Sequence, residues 1–267
     1  MDSPRAPKLT RRAFLGAAAV TVAAACSDTG AEDETAGSTA ATEPAPSEAT
    51  AGPAATTPPP AGPARFVVAG PDDSPKVALT FHTDGDLDLA TEILGVLGER
   101  DVPMTAFVVG EWLDANPDWT TRLTDGGHEL ANHTYTHPTF SELDPAAMTE
   151  EIERCRDVLV RLAGGGGRFF RTSGEADGTR TPSDTVLDLA GQAGYPLVLG
   201  FDVDPLDYQD PGIDAVATRT LETVKPGSVI SLHFDHPGTV VALPPILDGL
   251  DERGLKPVTA SELLSVG

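Results

Sequence analysis

An α/β fold built on a parallel sheet, as a barrel or an open doubly wound sheet, is predicted by three observations. From about Arg65 onward, apolar runs of strand length alternate with amphipathic stretches of helix length. Apolar residues make up 40% of the 267-residue chain, enough for one large core. Residues able to do acid–base or metal chemistry fall at the ends of the predicted strands instead of scattering, as they do on the active face of a parallel barrel.

The elements follow in order. Lys76 to Phe81 reads as a buried strand, Leu87 to Arg100 as an amphipathic helix and Met104 to Val109 as a strand. Residues 117 to 126 have helical spacing, and His128 to Ala131 is a short strand. Asp144-Pro145 opens a helix that runs to about Ala163 and stops at four glycines, Gly164 to Gly167. Arg168 to Arg171 is a strand, Ser183 to Ala193 a helix, Leu197 to Phe201 a strand and Ile213 to Val224 a helix. Ser228 to Leu232 is a strand, Leu243 to Arg253 a helix, and Leu255 to Val258 the last strand. No internal repeat is evident.

The first 63 residues belong to none of this. Thr10-Arg11-Arg12-Ala13-Phe14-Leu15 has the twin-arginine pattern, and the apolar stretch Ala13 to Ala25 is too short to span a membrane. Val22-Ala23-Ala24-Ala25-Cys26 resembles a lipobox, so residues 1–25 read as a signal peptide and Cys26 as the lipidation site. Residues 26–63, rich in Ala, Thr, Pro, Gly and acids, cannot bury enough surface to order and read as a tether. Residues 64–267 form the globular domain. The expected location is the outer face of a bacterial cytoplasmic membrane. The remaining cysteine, Cys155, has no intramolecular partner and reads as a packing residue. A net charge of −23 repels phosphate backbones and argues against nucleic acid as a partner. The domain is expected to act as a monomer.

The site begins at His133-Thr134-Tyr135-Thr136-His137. Two imidazoles four residues apart can share one metal ion, although ordinary loop histidines have the same spacing. His82, His133, Arg171, Asp204 and His233 each lie at or just past the C-terminal end of a different predicted strand, and in a parallel barrel those ends converge.

These residues resemble the polysaccharide deacetylases with the NodB-homology domain, carbohydrate esterase family four, over about residues 65 to 267. His133, Thr134 and His137 match the family's His-(Ser/Thr)-x-x-His motif. Asp204, Asp207 and Tyr208 match Asp-x-x-Asp-Trp with Tyr for Trp, and Ile230-Ser231-Leu232-His233 matches the run that ends in Leu-His. The Leu243-Pro244 to Leu263-Leu264 stretch looks like the family's last helix and strand. Thr80-Phe81-His82-Thr83-Asp84-Gly85 stands where the family has Thr-Phe-Asp-Asp-Gly, one residue longer. Arg171-Thr172-Ser173-Gly174 stands where it has Arg-x-Pro with a nearby Gly.

The resemblance implies a distorted (β/α)7 barrel and a metal-dependent hydrolase of carbon–nitrogen bonds that removes acetyl groups, N-linked or O-linked, from a cell-envelope glycan. It implies a divalent ion, zinc being the expected one, held by Asp84, His133 and His137. His82 is then the base, supported by Arg171, and His233 the acid, oriented by Asp204, with Thr83 bulged out. Asp86 is a reserve ligand or a helix N-cap. If His82 is a third imidazole ligand, the base lies elsewhere. The altered first motif also fits a lipid-anchored glycan-binding protein that has lost catalysis. Solute binding for an importer fits the anchor, but needs two lobes and more than roughly 200 residues. His128 and His236 match no motif and are expected to face solvent.

Overall fold

The computed structural model describes residues 62–175 and 177–266. The signal segment, Cys26 and almost all of the tether lie outside them.

Eight strands and eight α-helices run along the described chain, for the most part in alternation. They are β1 (Arg65–Val67), β2 (Lys76–Thr83), α1 (Leu87–Gly98), β3 (Thr105–Val108), α2 (Gly110–Ala115), α3 (Asp118–Asp125), β4 (Glu129–Asn132) and α4 (Pro145–Ala163). Then come β5 (Phe169–Phe170), α5 (Asp184–Gln192), β6 (Leu197–Leu199), α6 (Ile213–Thr223), β7 (Val229–His233), α7 (Pro237–Glu252), β8 (Lys256–Val258) and α8 (Ala260–Leu264).

All strand pairs are parallel, in the order β1-β6-β5-β4-β3-β2-β7, with β8 beside the start of β2. One edge of β2 thus takes β8 at Lys76–Ala78 and β3 at Thr80–Thr83, and the other takes β7 at Ala78–His82. The sheet curls until its two edges meet at isolated bridges, Ala69 to Ser228 and Val203 to Ile230. The Asp202 carboxylate strengthens the seam by accepting from Val229 N and Ser228 Oγ. Seven strands therefore make the path of a distorted barrel, as expected.

Sequence explains the elements. Every residue of β2 after Lys76 is buried, so the strand reads as one apolar run and not as an alternation. In α4, Asp144 accepts from Ala147 N, Pro145 needs no donor at the first position, and Gly164 closes the helix at φ 77°. Its buried stripe is Met148, Glu151, Ile152, Cys155, Val158 and Leu159. The carboxylate within that stripe matters below.

Four elements differ from expectation. Strand β1 and helices α2 and α8 lie where the sequence assigned no element. Helix α7 begins at Pro237, six residues before the expected Leu243, and carries Pro244 and Pro245 in its interior. Each proline removes a helical donor, which is why the sequence read as a helix start at that point.

Candidate functional site

The parallel register sets the residues out. His82 is the last residue but one of β2, His133 follows β4 directly, Arg171 follows β5, and His233 ends β7. β2 and β7 are paired with His82 opposite His233.

The loop from His133 to His137 is strained, with Thr134 at φ 68° and His137 at φ 59°, both left-handed. Polar side chains hold it. Asn132 Oδ1 accepts from Thr134 N at 2.9 Å, while its amide donates to Ile152 O and the buried Tyr195 hydroxyl, each at 2.8 Å. Glu151 on α4 accepts from Tyr135 N, Thr136 N and Thr136 Oγ1, all at 2.8 Å. Ser173 accepts from the Thr134 hydroxyl at 3.0 Å and donates to Pro138 O at 2.6 Å. A serine hydroxyl thus ties down the loop where the resemblance leads one to expect a proline.

His82, His133 and His137 form a group whose donor atoms all lie within 4.8 Å of one another. They are not equivalent. The Arg171 carbonyl can only accept, so His133 Nδ1, 3.1 Å away, carries the proton and leaves a lone pair on Nε2. That Nε2 faces His137 Nε2 at 3.2 Å. Two nitrogens at that separation, each about 2.0–2.1 Å from one zinc ion, subtend a near-tetrahedral angle. The pair therefore fits a metal.

His82 fits less well. Its ring stacks on His133 at 4.0 Å and 27°, so their in-plane lone pairs run side by side instead of converging. Both of its nitrogens are also engaged. A guanidinium only donates, so Arg171 Nη1, at 3.1 Å, makes His82 Nε2 an acceptor. His82 Nδ1 then carries the proton and donates to His233 Nε2 at 2.9 Å. His233 in turn donates from Nδ1 to Asp207 Oδ1 at 2.8 Å. One chain of donors runs from Arg171 through His82 and His233 to Asp207, and the groups at its two ends fix both tautomers.

The aspartate on His233 is Asp207, and the expectation of Asp204 is corrected. A left-handed residue, Leu206 at φ 57°, starts a short 3-10 turn, Asp207–Gln209, that swings Asp207 inward. Asp207 is 1% exposed and also accepts from His233 N and Thr239 Oγ1. Asp204 spends one oxygen on Leu206 N, and burial raises its carboxyl above the ordinary range. Asp86 caps α1, accepting from Asp88 N and Leu89 N. Asp84 lies on the cleft wall, outside the group that His82, His133 and His137 form; burial lowers His137 below its ordinary value, and the Asp84 charge offsets part of that.

His128 and His236, expected in solvent, are both half-buried. His128 Nδ1 accepts from Met104 N, and His236 lies edge-on to His233 at 5.9 Å. Cys155 is fully buried, its thiol pushed up to about 12 by burial, in keeping with a packing role.

Electrostatics divide the site. Burial, then the neighbouring imidazoles and Arg171, hold His82 well below its ordinary value. Burial, His137 and Arg171 do the same to His133. Burial also brings Arg171 down to about 9. The imidazoles next to Arg171 are thus kept neutral, as metal ligands and proton acceptors must be. The histidines open on a cleft of about 500 Å³, walled on one side by Tyr208, Asp235 and His236. Glu151, Ser173 and Thr239 were missed in the sequence; of these only Glu151 left a signal, a carboxylate in the apolar stripe of α4.

Comparison with known proteins gives the family. Residues 69–198 match the family model described as polysaccharide deacetylase. The chain is 35% identical over 198 residues to a chitooligosaccharide deacetylase of Sinorhizobium fredii (strain NBRC 101917 / NGR234), covering 68% of this chain and 88% of that protein. It is 30% identical over 199 residues to a peptidoglycan-N-acetylglucosamine deacetylase of Bacillus cereus, covering 73% and 70% of the two chains. A solved peptidoglycan N-acetylglucosamine deacetylase superposes with a TM-score of 0.69 at 28% identity, over 76% of this chain and 94% of that one. The chain belongs to the polysaccharide deacetylase family.

Proposed function

We propose that the protein is a metal-dependent hydrolase that removes acetyl groups from an acetylated glycan of the cell envelope. One observation carries the reading. His133 and His137 present two ligand nitrogens 3.2 Å apart beside a separately wired proton-carrying histidine, on the floor of an open cleft. His133, His137 and the Asp84 carboxylate would hold a divalent ion, zinc in our reading. When bound, such an ion lowers the pKa of its water and polarises the acyl oxygen.

The chain's own residues handle the protons. His82 and His233 act as one unit, since their facing nitrogens share a single proton. Added charge settles on His233, where Asp207 neutralises it, and not on His82, where Arg171 opposes it. In place of His82, where the base was expected, a proton taken from the attacking water and returned to the leaving amine is therefore carried at His233 Nε2, and the His82 bond opens as it arrives. Arg171 keeps His82 neutral, and Thr239 and the His233 backbone N–H hold Asp207 in place.

The export signal, the lipid on Cys26 and the tether of residues 26–63 would hold this domain outside the cytoplasmic membrane within reach of wall polymers. A second reading, a glycan binder without turnover, draws on the double engagement of His82. Acetate release from a panel of acetylated glycans separates the two. Release that stops with a chelator and returns with added zinc is expected. Tight glycan binding with no release under any metal would refute the hydrolase.

A further inference from the structure

A second histidine–aspartate pair stands beside the one that carries the proton. His233 and His236 are three residues apart, and so are their partners Asp207 and Asp210. One turn of chain sets both pairs. The 3-10 turn Asp207–Gln209 is flanked by left-handed residues, Leu206 at φ 57° and Asp210 at φ 49°, so that Asp207 is buried and Asp210 exposed. Thr239 Oγ1 donates to Asp207, and Thr239 N donates to His236 O, which ties the start of α7 to the same aspartate. The His233 and His236 rings then meet edge to face, at 5.9 Å and 86°. His236 Nδ1 lies 3.1 Å from Asp210 Oδ1. An ionised carboxylate only accepts, so Nδ1 carries the proton and Nε2 keeps its lone pair. That nitrogen meets no hydrogen-bonding partner among the described residues, on a side chain that lines the cleft. A pair with its carboxylate 65% exposed contributes little to stability. What it does is hold one tautomer of a ring beside the reacting centre.

We propose that His236 is a sugar-binding residue, its Nε2 accepting a hydrogen bond from a hydroxyl of the sugar that carries the acetyl group. The inference rests on the hydrolase reading above and adds a substrate contact to it. Position comes from the chemistry. The leaving nitrogen must face His233, and a second ring 5.9 Å away lies within the span of one sugar. A lone pair without a donor and a hydroxyl carried past it on the sugar suit each other. His233 Nε2 cannot serve the hydroxyl, because it meets His82 and carries the proton. The hydroxyl takes no part in the bond that breaks, so it is held as well before the transition state as in it. Such a contact acts on KM and leaves kcat alone.

The test compares the full chain, loaded with zinc, with its His236→Ala variant on N-acetylated chitooligosaccharides of increasing length. KM should rise about 3- to 10-fold at every length, the loss of one neutral hydrogen bond, while kcat stays within about twofold. His236→Gln, whose amide oxygen can accept in place of Nε2, should recover most of the loss. Substrates that lack one hydroxyl on the acetylated sugar identify the donor. For one of them the wild type should lose the same factor, and His236→Ala should lose nothing further. An unchanged KM in His236→Ala overturns the proposal, as does a series in which every deoxy substrate still responds to the substitution. A penalty that grows with chain length also overturns it, because the donor then sits on a neighbouring sugar. If His236→Ala does not fold, Asp210→Ala replaces it, frees the ring to take either tautomer and should raise KM; an unmoved KM overturns the proposal. Where no acetate is released, the hydrolase reading fails by itself, and the affinity of the metal-free protein for the longest oligosaccharide decides His236. Weaker binding by His236→Ala sustains the contact, and equal binding, or none by either protein, overturns it.

Discussion

Replacing Glu151 tests whether the metal pair is held from behind. Its carboxylate accepts three hydrogen bonds at 2.8 Å from Tyr135 and Thr136, the residues between His133 and His137. Hydrogen bonds to a charged acceptor contribute about 1.5–3 kcal/mol each. Two of these share one oxygen, and Thr136 is exposed, so water replaces part of the loss. Glu151→Ala should therefore cost about 2–4 kcal/mol of stability. The left-handed residues at both ends of the loop are then free to relax. Zinc affinity should fall about 10- to 100-fold, the usual effect of losing a group that orients a ligand. Glu151→Gln separates geometry from charge. Its carbonyl still meets both backbone N–H groups, and its amide can donate to the Thr136 hydroxyl. It should keep zinc affinity within a few-fold. Competition with a chromogenic chelator reads the affinity, and thermal unfolding reads the stability. A Glu151→Ala protein that is destabilised yet binds zinc as wild type does would refute the argument, leaving Glu151 as a support for α4 alone.

Asp207→Asn should lower turnover by about 10²–10⁴-fold, because it removes the acceptor that orients His233. Asp204→Asn should change turnover by only a few-fold, since an amide oxygen can still accept from Leu206 N; the reverse ranking would restore Asp204 as the partner. His82 and His133 have folded-state values below the unfolded 6.5, so the unfolded chain binds more protons in acid. Their contribution to stability is present above the unfolded value of about 6.5 and lost progressively as pH falls below it, so the thermal midpoint of metal-free protein should drop as the pH is lowered from there. A flat midpoint would show that the rings charge in place. Cys26→Ala should move the protein from the membrane to the soluble exported fraction, and an unchanged membrane fraction would remove the lipid anchor.

Legibility varied with how local each cause was. Helix α4 was read nearly to the residue because Asp144, Pro145 and Gly164 mark its ends within the sequence. Helix α2, with only six residues, is too short to show a period. Strand β5 has only two residues, paired with β4 and β6, and the expected strand Arg168 to Arg171 contains it. The site followed the same rule. His133 and His137 were legible from spacing, and His82, Arg171 and His233 from their places at strand ends. Choosing Asp207 over Asp204 depends on the left-handed Leu206, and nothing in the Asp-x-x-Asp spacing announces that turn. The stacking of His82 on His133, which turns their lone pairs apart, reaches across β3 from the ends of β2 and β4 and has no sequence signature.

Arg171 shows why a histidine at position 82 leaves the site assembled. A buried guanidinium with an imidazole as its site partner lacks the opposite charge that normally offsets desolvation. Other groups take that role here. Nε and Nη2 donate to Leu199 O and Gly200 O, at 2.9 and 3.0 Å, and Nη1 also donates to Thr80 Oγ1 at 3.0 Å. The cation lies 3.8 Å from the centre of the Phe107 ring and 5.1 Å from that of Phe201. Carbonyl dipoles and ring faces thus hold the arginine, although burial alone brings it down to about 9. Because its position does not depend on a carboxylate, Arg171 still fixes the His82 tautomer and orders the chain to His233. His82→Asp should then draw Arg171 back up through a direct ion pair and leave His233 Nε2 without its donor. That frees the nitrogen on which the proton is carried, so His82→Asp should not reduce acetate release. A fall of 100-fold or more with metal content intact would show that the imidazole itself takes part in the proton transfer.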